Sequence, residues 1–288
     1  MAGGNGSRLW PLTSGLSKQL LPVYDKPLVY YPLSTLMQCG IRDILIISTP
    51  KDTPIIEGIL GRGDKFGIKL DYIIQESPKG IAHGIGLAKN FIGNDNFALI
   101  LGDNIFYGLE FINQIGKINL IQGALVFTYK VHDPSRYGVV EVDHNKIPIS
   151  ICEKPPKPKS NLALTGLYFF DNSATSIATN LKPSKRGEIE ITEVLNVYLK
   201  NKNLKVLTMP TGTAWLDAGT PKSLQDAGNY VRIIEDRQGI KIACPEEIAF
   251  TKGWIKKEII LKIIASNKNS DYSEYLNKLI KSEHNYFS

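Results

Sequence analysis

The sequence is poor in cysteine and histidine, and it lacks a long apolar segment. Among 288 residues there are four histidines and three cysteines, Cys39, Cys152 and Cys244. Because the cysteines are odd in number and none stands at CxxC spacing, they argue against a disulfide framework or zinc site and favour a reducing compartment, by default the cytoplasm. No apolar run approaches the roughly 18 residues of a membrane helix, and no basic-then-apolar leader opens the chain, so no membrane partner is expected.

The composition is typical of a globular protein with an anionic ligand. Hydrophobic residues make up 43% and charged residues 22% of the chain, which argues against collagen-like and wholly disordered classes. Lysine plus arginine number 34 and aspartate plus glutamate 28, a net charge of +6. The basic residues are scattered instead of forming a groove, so we expect no nucleic-acid partner and favour a phosphorylated metabolite.

Short apolar segments in the first half alternate with stretches of helix length. Residues 43–48, 72–75 and 97–102 are continuous and β-rich, which predicts a buried parallel sheet built from βαβ units. Residues 123–170 read as strand after strand and predict an antiparallel extension beside that sheet. Thr220 and Pro221 open a long predicted helix, and the chain from Pro245 onward is lysine-rich and helical in pattern. The predicted fold class is α/β, a Rossmann-like, mostly parallel sheet with helices on both faces, an antiparallel strand insertion and C-terminal helices.

A glycine-rich loop near the N-terminus is the first candidate site. Three glycines in four positions let the backbone approach a phosphate chain, while Arg8 and Lys18 supply positive charge where a pyrophosphate would lie. The loop is neither a Walker A motif nor GxGxxG, and a glycine-rich turn alone is more often an ordinary surface turn. The added arginine and lysine favour phosphate binding. The loop residues are Gly3, Gly4, Asn5, Gly6, Ser7 and Arg8.

Two aspartates are candidate metal ligands. Asp103 follows the apolar run 97–100, and the carboxyl edge of a parallel sheet is where such folds bind ligands. Carboxylate oxygen suits a Mg²⁺ ion that bridges phosphates. Asp217 lies in a short apolar segment, WLDAG, just before the long helix. Taken singly, the first could equally be a helix cap and the second a turn residue, so the metal site depends on the two acting together.

The middle of the chain contributes a lysine and two glycines. Lys154 follows a predicted strand and precedes a proline; it could grip a substrate phosphate or be a solvated surface residue. Gly138 and Gly166 stand inside strand patterns, which marks either a bulge or close approach of a ligand. His83 has no cysteine or second histidine at ligand spacing, so zinc and hydrolase chemistry are set aside.

Ordered sequence blocks that cover nearly the whole chain resemble the sugar-1-phosphate nucleotidyltransferase family. So many blocks in the same order make a chance likeness implausible. The blocks include GGNGSRLWPLT, SKQLLPVYDKPLVYYPLSTLM, LGDNIFYG, DPSRYGVVE, EKPPKPKSN, TGLYFFDN, GEIEITEVLN and AWLDAGT.

The resemblance implies a role for each matching residue. The loop wraps a nucleoside triphosphate, Asp103 and Asp217 hold Mg²⁺, and Arg8 and Lys18 stabilise the α-phosphate and pyrophosphate. In relatives a glutamine stands at the position of His83 and contacts the pyrimidine base. The implied nucleotide-binding set is Gly3, Gly4, Asn5, Gly6, Ser7, Arg8, His83 and Gly84. The implied sugar-phosphate set is Tyr137, Gly138, Val139, Glu153 and Lys154, with Lys154 on the phosphate and catalytic together with Arg8 and Lys18.

The resemblance further implies a reaction and an organisation. Glucose 1-phosphate and dTTP would be the substrates, with pyrophosphate released, for synthesis of a deoxysugar, typically rhamnose. Residues 1–240 would form the catalytic domain, with a nucleotide-binding half (about 1–122) and a sugar-binding half (about 123–240). Residues 241–288 would be a helical extension with contacts in a homotetramer.

Two alternatives stay open. One keeps the chemistry and uses UTP. The other is a truncated regulatory, non-catalytic paralogue, because relatives begin with a short apolar strand ahead of the loop, whereas here Met1 directly precedes Ala2. That central first strand is expected to be missing, which would leave the edges of its neighbours unpaired. Retention of the charged residues Arg8, Lys18, Asp103, Lys154 and Asp217 argues against the second alternative.

Overall fold

Strands and helices alternate through the first half of the chain, as the apolar segments predict. The structure is a computed structural model that describes residues 1–3, 6–119 and 122–282. The strands are β1 Pro22–Val23, β2 Lys26–Pro27, β3 Asp43–Ser48, β4 Lys69–Ile74, β5 Phe97–Ile100, β6 Asn104–Tyr107, β7 Ala124–Lys130, β8 Gly138–Val142, β9 Pro148–Glu153, β10 Leu162–Phe170, β11 Leu204–Thr208 and β12 Ala214–Asp217. The helices are α1 Tyr30–Gln38, α2 Thr53–Leu60, α3 Ile81–Leu87, α4 Lys89–Ile92, α5 Leu109–Ile115, α6 Ser173–Asn180, α7 Ile191–Lys200, α8 Pro221–Gln238, α9 Pro245–Thr251, α10 Lys257–Ser266 and α11 Asp271–Ser282.

The central sheet confirms the α/β class and places one antiparallel strand inside it. Its order is β11-β7-β10-β8-β9, and β5 pairs with the other end of β10. Strand β10 is antiparallel to both β5 and β7, whereas β7 and β11 are parallel, as are β3 and β4. The prediction that the antiparallel strands lie beside the parallel part was wrong for β10. All nine residues of this strand are buried, as suits a central strand that is covered on both faces.

Helices cover the sheet and share its core. One buried cluster joins Leu33 and Met37 of α1 to Ala249, Ile260 and Leu276 of the C-terminal helices. Helix α8 begins as predicted, because the Thr220 side chain accepts a hydrogen bond from the backbone N–H of Ser223, completing a capping box. Among the described residues, no helix has both the length and the apolar character to cross a bilayer.

Met1 and Ala2 lie between β3 and β5. The Ala2 N–H donates to the Ile47 carbonyl at 2.7 Å, and the Met1 ammonium donates to the Ile100 carbonyl at 2.9 Å. Within the described residues no other strand pairs with these two facing edges. A cavity of about 580 Å³ lies there, lined by both strands and by α3 and α4. Burial lowers the pKa of the Met1 ammonium to about 6.

A chain extended ahead of Met1 by six apolar residues, the length of β3, should unfold at a higher temperature than the present one. An amide would replace the buried ammonium, and the added strand would pair two open edges. We expect a gain of at least about 5 °C in Tm, measured by calorimetry. A Gly-Ser extension of the same length removes the ammonium without supplying an apolar strand, so equal Tm values for the two extensions would contradict the strand argument.

Candidate active site

A cavity of about 220 Å³ opens where β4 and β5 end. Gln75 directly follows β4, and Asp103 follows β5 after a two-residue turn. Gly3, Lys18 and Gly80 line the same space. The cavity therefore has a charged end at Lys18 and Asp103 and a second end at the Gln75 amide and Gly80, and Glu188 is a further charged residue of its lining.

A close ion pair occupies the charged end. Lys18 Nζ lies 2.5 Å from Asp103 Oδ2, and Lys18 is buried although it carries a charge. Burial raises the pKa of Asp103, but the neighbouring Lys18 and a hydrogen bond from Asn104 outweigh it, so the pKa is lowered. Asp103 is therefore an ionised carboxylate at neutral pH.

Asp217 reaches the same place from the other half of the chain. In the β6–β12 ladder it stands opposite Asn104, and the Ala218 N–H donates to the Asp103 carbonyl at 2.9 Å. Burial raises the pKa of Asp217 and Asp103 adds to the rise, although Arg136 and the Tyr137 hydroxyl oppose it. The Tyr137 hydroxyl donates to Asp217 Oδ1 at 3.1 Å. Two neighbouring, partly buried carboxylates thus repel each other, and a cation would relieve that repulsion.

The carboxylate pair fits a magnesium ion. Mg²⁺ is commonly held by one or two carboxylates, with waters and substrate phosphates completing the octahedron. In the described ranges no group of three or more histidine, cysteine, aspartate or glutamate side chains is placed to hold a metal. Asp103 and Asp217 would therefore be the protein's share of a site that needs phosphate oxygens as further ligands.

Two glycines of the glycine-rich loop have distinct roles: Gly3 lines the cavity, and Gly6 lets the backbone turn. A Cβ added to Gly3 would lie 3.2 Å from Gln75 Oε1. Gly6 has a left-handed φ of +58°, and an added Cβ there would meet the Thr13 methyl at 2.8 Å, so glycine is required. Gly4 and Asn5 lie outside the described residues. Ser7 is exposed in a short turn and faces solvent.

Arg8 lies close to Asp217, next to a third glycine, Gly219. A Cβ added to Gly219 would lie 3.2 Å from both Arg8 Nη2 and Asp217 Oδ2. The absence of a side chain at Gly219 therefore lets the exposed guanidinium lie beside Asp217. Arg8 is positioned to contact an anion held at that carboxylate.

The five residues expected at the sugar lie together where β8 begins and β9 ends, with Tyr137 just before β8 and Lys154 just after β9. Gly138 pairs with Glu153 across the ladder, and Val139 is buried next to it. Lys154 has a φ of +42°, and its Nζ lies 3.4 Å from Glu153 Oε1. Burial raises the pKa of Glu153 against the opposing charge of Lys154. Because Tyr137 also contacts Asp217, this cluster adjoins the carboxylate pair.

His83 and Gly84 do not line the 220 Å³ cavity. His83 Nδ1 lies 2.8 Å from Gln75 Nε2, on the far side of that amide from Gly3. A Cβ added to Gly84 would collide with the Met1 side chain at 2.4 Å, so Gly84 faces Met1. The structure thus brings the Gln75 side chain to the cavity and places His83 against that side chain.

Sequence reasoning missed both glutamines. Gln19 is 3% exposed, and its Oε1 has no hydrogen-bond partner among the described residues. This oxygen lies near Gly102 in the cavity wall, where a ligand donor could reach it. A signal existed for each: Gln19 adjoins Lys18, and Gln75 follows a strand just as Asp103 does.

The comparisons with known proteins agree with this geometry. A family model described as nucleotidyl transferase matches residues 1–232. The chain belongs to the nucleotidyl transferase family. This family member is 48% identical over 282 residues to a glucose-1-phosphate thymidylyltransferase of Neisseria meningitidis, covering 98% of each chain. It is 50% identical over 283 residues to the enzyme of that name from Mycolicibacterium smegmatis, again covering 98% of each.

Solved structures of similar fold agree with this family assignment. A Bacillus anthracis protein assigned as a glucose-1-phosphate thymidylyltransferase, in complex with sucrose, superposes with a TM-score of 0.74 at 42% identity, covering 80% of this chain and 93% of that one. A UDP-glucose pyrophosphorylase complexed with UDP-glucose superposes with a TM-score of 0.72 at 26% identity, covering 81% of this chain and 96% of that one. The expected α/β fold class and family are confirmed.

Proposed function

We propose that this nucleotidyl transferase joins dTTP to glucose 1-phosphate, giving dTDP-glucose and pyrophosphate. The observation that carries the proposal is a cavity lined by Lys18 and Asp103 at one end and by the Gln75 amide at the other. Asp217 adjoins Asp103 just outside that lining, and Arg8 lies beside Asp217. Such a cavity suits a ligand with a polyphosphate at one end and a base at the other. The names of the 48–50% identical relatives support the choice of both substrates.

The reaction is an in-line displacement at the α-phosphorus of dTTP. A phosphate oxygen of glucose 1-phosphate forms a new P–O bond. The bond from the α-phosphorus to the bridging oxygen breaks, and its electron pair leaves with pyrophosphate. Because the attacking phosphate is already an anion, no protein base is needed. Catalysis then consists of aligning two anions that repel each other and neutralising charge on the α-phosphoryl group.

The chain's own residues divide these tasks. Lys18 and Arg8 place positive charge beside the triphosphate, and Asp103 and Asp217 would hold Mg²⁺. A Mg²⁺ ion bound there would neutralise charge on the phosphoryl oxygens. Lys18 already contacts Asp103 at 2.5 Å, so the same ammonium is within reach of a phosphate held at that carboxylate.

The β8–β9 residues form the second half of the site. Lys154 would contact the phosphate of glucose 1-phosphate, and Glu153 would accept hydrogen bonds from sugar hydroxyls. Gly138 and Tyr137 would border the sugar, and the buried Val139 would support them. The guanidinium of Arg186 also lies 3.6 Å from Glu153 Oε1.

The wider setting is also part of the proposal. The product would serve deoxysugar synthesis, typically of rhamnose, in the cytoplasm. The halves 1–122 and 123–240 would bind nucleotide and sugar, and helices within 241–288 would contribute to contacts in a homotetramer. The core shared between α1 and the C-terminal helices supports a fixed position for those helices on the catalytic part.

Pyrophosphate release tests the function. The purified chain is incubated with Mg²⁺ and glucose 1-phosphate, with dTTP, UTP, CTP, ATP or GTP in parallel. We expect release to be fastest with dTTP. Fastest release with UTP would favour the alternative that the chain is a uridylyltransferase. The structural likeness to a UDP-glucose pyrophosphorylase is the reason to include UTP. No release with any nucleotide would contradict the proposal and favour the non-catalytic paralogue.

A further inference from the structure

The amide of Gln75 is held in one orientation by two neighbours. Its Nε2 lies 2.8 Å from His83 Nδ1 and donates to the Gly80 carbonyl at 3.2 Å. A carbonyl can only accept, so Gly80 requires the NH₂ group on its side. His83 supports the same orientation when its proton is on Nε2, which leaves Nδ1 as an acceptor.

This orientation decides what the cavity offers to a base. With both N–H groups of Gln75 directed at His83 and Gly80, Oε1 points toward Gly3 and the cavity wall. Gln75 is 4% exposed, so its side chain has little room for other orientations. A buried carbonyl oxygen accepts a hydrogen bond from N3–H of thymine or uracil. Cytosine has an unprotonated N3, which would face that oxygen lone pair to lone pair.

We propose that His83 is a positioning residue that fixes the Gln75 amide with its oxygen toward the base, so that the enzyme rejects cytidine nucleotides. This inference rests on the proposed function and adds a determinant of base choice to it. His83 itself does not contact the nucleotide. It acts through the 2.8 Å contact with Gln75.

Protonation of His83 would oppose this arrangement. Nδ1 would then carry a proton and face the NH₂ group of Gln75, donor against donor. The amide could satisfy the imidazolium only by turning its oxygen toward it, which would place that oxygen against the Gly80 carbonyl and an NH₂ group toward the base. Base selectivity should therefore fall in acid.

The surroundings of His83 favour its neutral form. Burial lowers the pKa of the imidazole, and the positive charge of Lys79 lowers it further. Glu188 lines the cavity that Gln75 borders. The Met1 side chain lies against Gly84 of α3, while the Met1 ammonium donates to the Ile100 carbonyl. Selectivity should thus be constant at neutral pH and fall only as the pH drops below the usual histidine range.

The test compares kcat/KM for dTTP and dCTP in the present chain, His83→Asn and His83→Leu, by pyrophosphate release with glucose 1-phosphate. The Asn side-chain oxygen can replace Nδ1 as acceptor, whereas Leu cannot accept. We expect the dTTP/dCTP ratio to fall about tenfold in His83→Leu, the effect of one hydrogen bond, and to stay within about threefold in His83→Asn. His144→Leu, on an exposed turn, is the matched control.

The pH profile separates positioning from a structural effect. The ratio should decline in acid for the present chain and remain flat for His83→Asn, which has no group to titrate there. An unchanged ratio in His83→Leu, with dTTP still used, would overturn this inference and leave the proposed function intact. Absence of release with every nucleotide in the unmodified chain would overturn both.

Discussion

Asp217→Asn should lower kcat at saturating Mg²⁺ by about 100- to 1000-fold, the usual effect of removing one preorganised group that neutralises transition-state charge. Asparagine keeps the shape of the side chain but loses the charge that would hold a divalent cation beside Asp103. The Tyr137 hydroxyl would still have an oxygen to donate to. The fold should therefore persist while turnover falls, and steady-state pyrophosphate release measures the effect.

The matched control is Asp226→Asn, which removes an equal charge at a solvent-exposed position of α8. We expect kcat within about twofold of the unmodified chain, because an isolated surface charge is largely screened. The concentration of Mg²⁺ for half-maximal rate should rise in Asp217→Asn only. Equal rates for the two variants would remove Asp217 from the metal site.

The pH dependence should have a definite sign. Burial raises the pKa of Asp217, so a proton competes with Mg²⁺ for this carboxylate at a higher pH than is usual for aspartate. As the pH falls through that raised pKa, metal affinity should decrease. Added Mg²⁺ should then shift the acid limb of the rate profile to lower pH.

Two signals made parts of this site predictable from sequence: a glycine-rich loop accompanied by Arg8 and Lys18, and carboxylates at the ends of short apolar segments. Asp103 comes after β5 and Asp217 ends β12, and the sequence offered Asp217 as the second carboxylate that a metal site at Asp103 would need. Gln75 likewise follows a strand, β4, and was missed because a neutral amide does not suggest phosphate or metal chemistry. The position of β10 between β5 and β7 depends on which strands pair, and local pattern carries no information on pairing partners.

His83 shows a different limit. The family resemblance implies contact between this position and the base, whereas the structure shows the His83 ring against the Gln75 amide, which lines the cavity. The position of His83 in the sequence of α3 does not reveal that its ring contacts the NH₂ group of Gln75. Gly84 likewise serves the packing of Met1, which no local motif signals.

Glu235→Gln should destabilise the fold by about 3–5 kcal/mol, the usual effect of breaking a buried ion pair on one side. Glu235 is 4% exposed and accepts from Lys26 at 2.9 Å, from Lys241 at 2.7 Å and from the Ile242 N–H at 2.8 Å. Glutamine keeps the shape but leaves the buried Lys26 ammonium with Asp25 as its remaining carboxylate partner in this network.

The neighbouring residue provides the control. Asp236 pairs with Arg232 at 3.3 Å on the exposed face of α8, where an i,i+4 pair contributes about 0.3–0.5 kcal/mol. Asp236→Asn should therefore shift the urea midpoint only slightly, whereas Glu235→Gln should shift it strongly. Similar midpoints for both variants would show that burial does not set the strength of the Glu235 interactions.

The double variant Lys26→Met/Glu235→Leu tests the reason for the loss. If Glu235→Gln destabilises the fold because it leaves a buried charge without its partner, removing both charges should cost less than the two single changes together. The free energy of unfolding lost in the double variant should therefore be smaller than the sum of the losses in Lys26→Met and Glu235→Leu. The network joins the turn between β1 and β2 to the end of α8. Just beyond that turn, the Leu28 N–H donates to the Leu21 carbonyl, and the Val29 N–H donates to the Gln19 carbonyl. Loosening Lys26 should therefore also reduce the rate of pyrophosphate release, because Gln19 and Lys18 are positioned by this same segment.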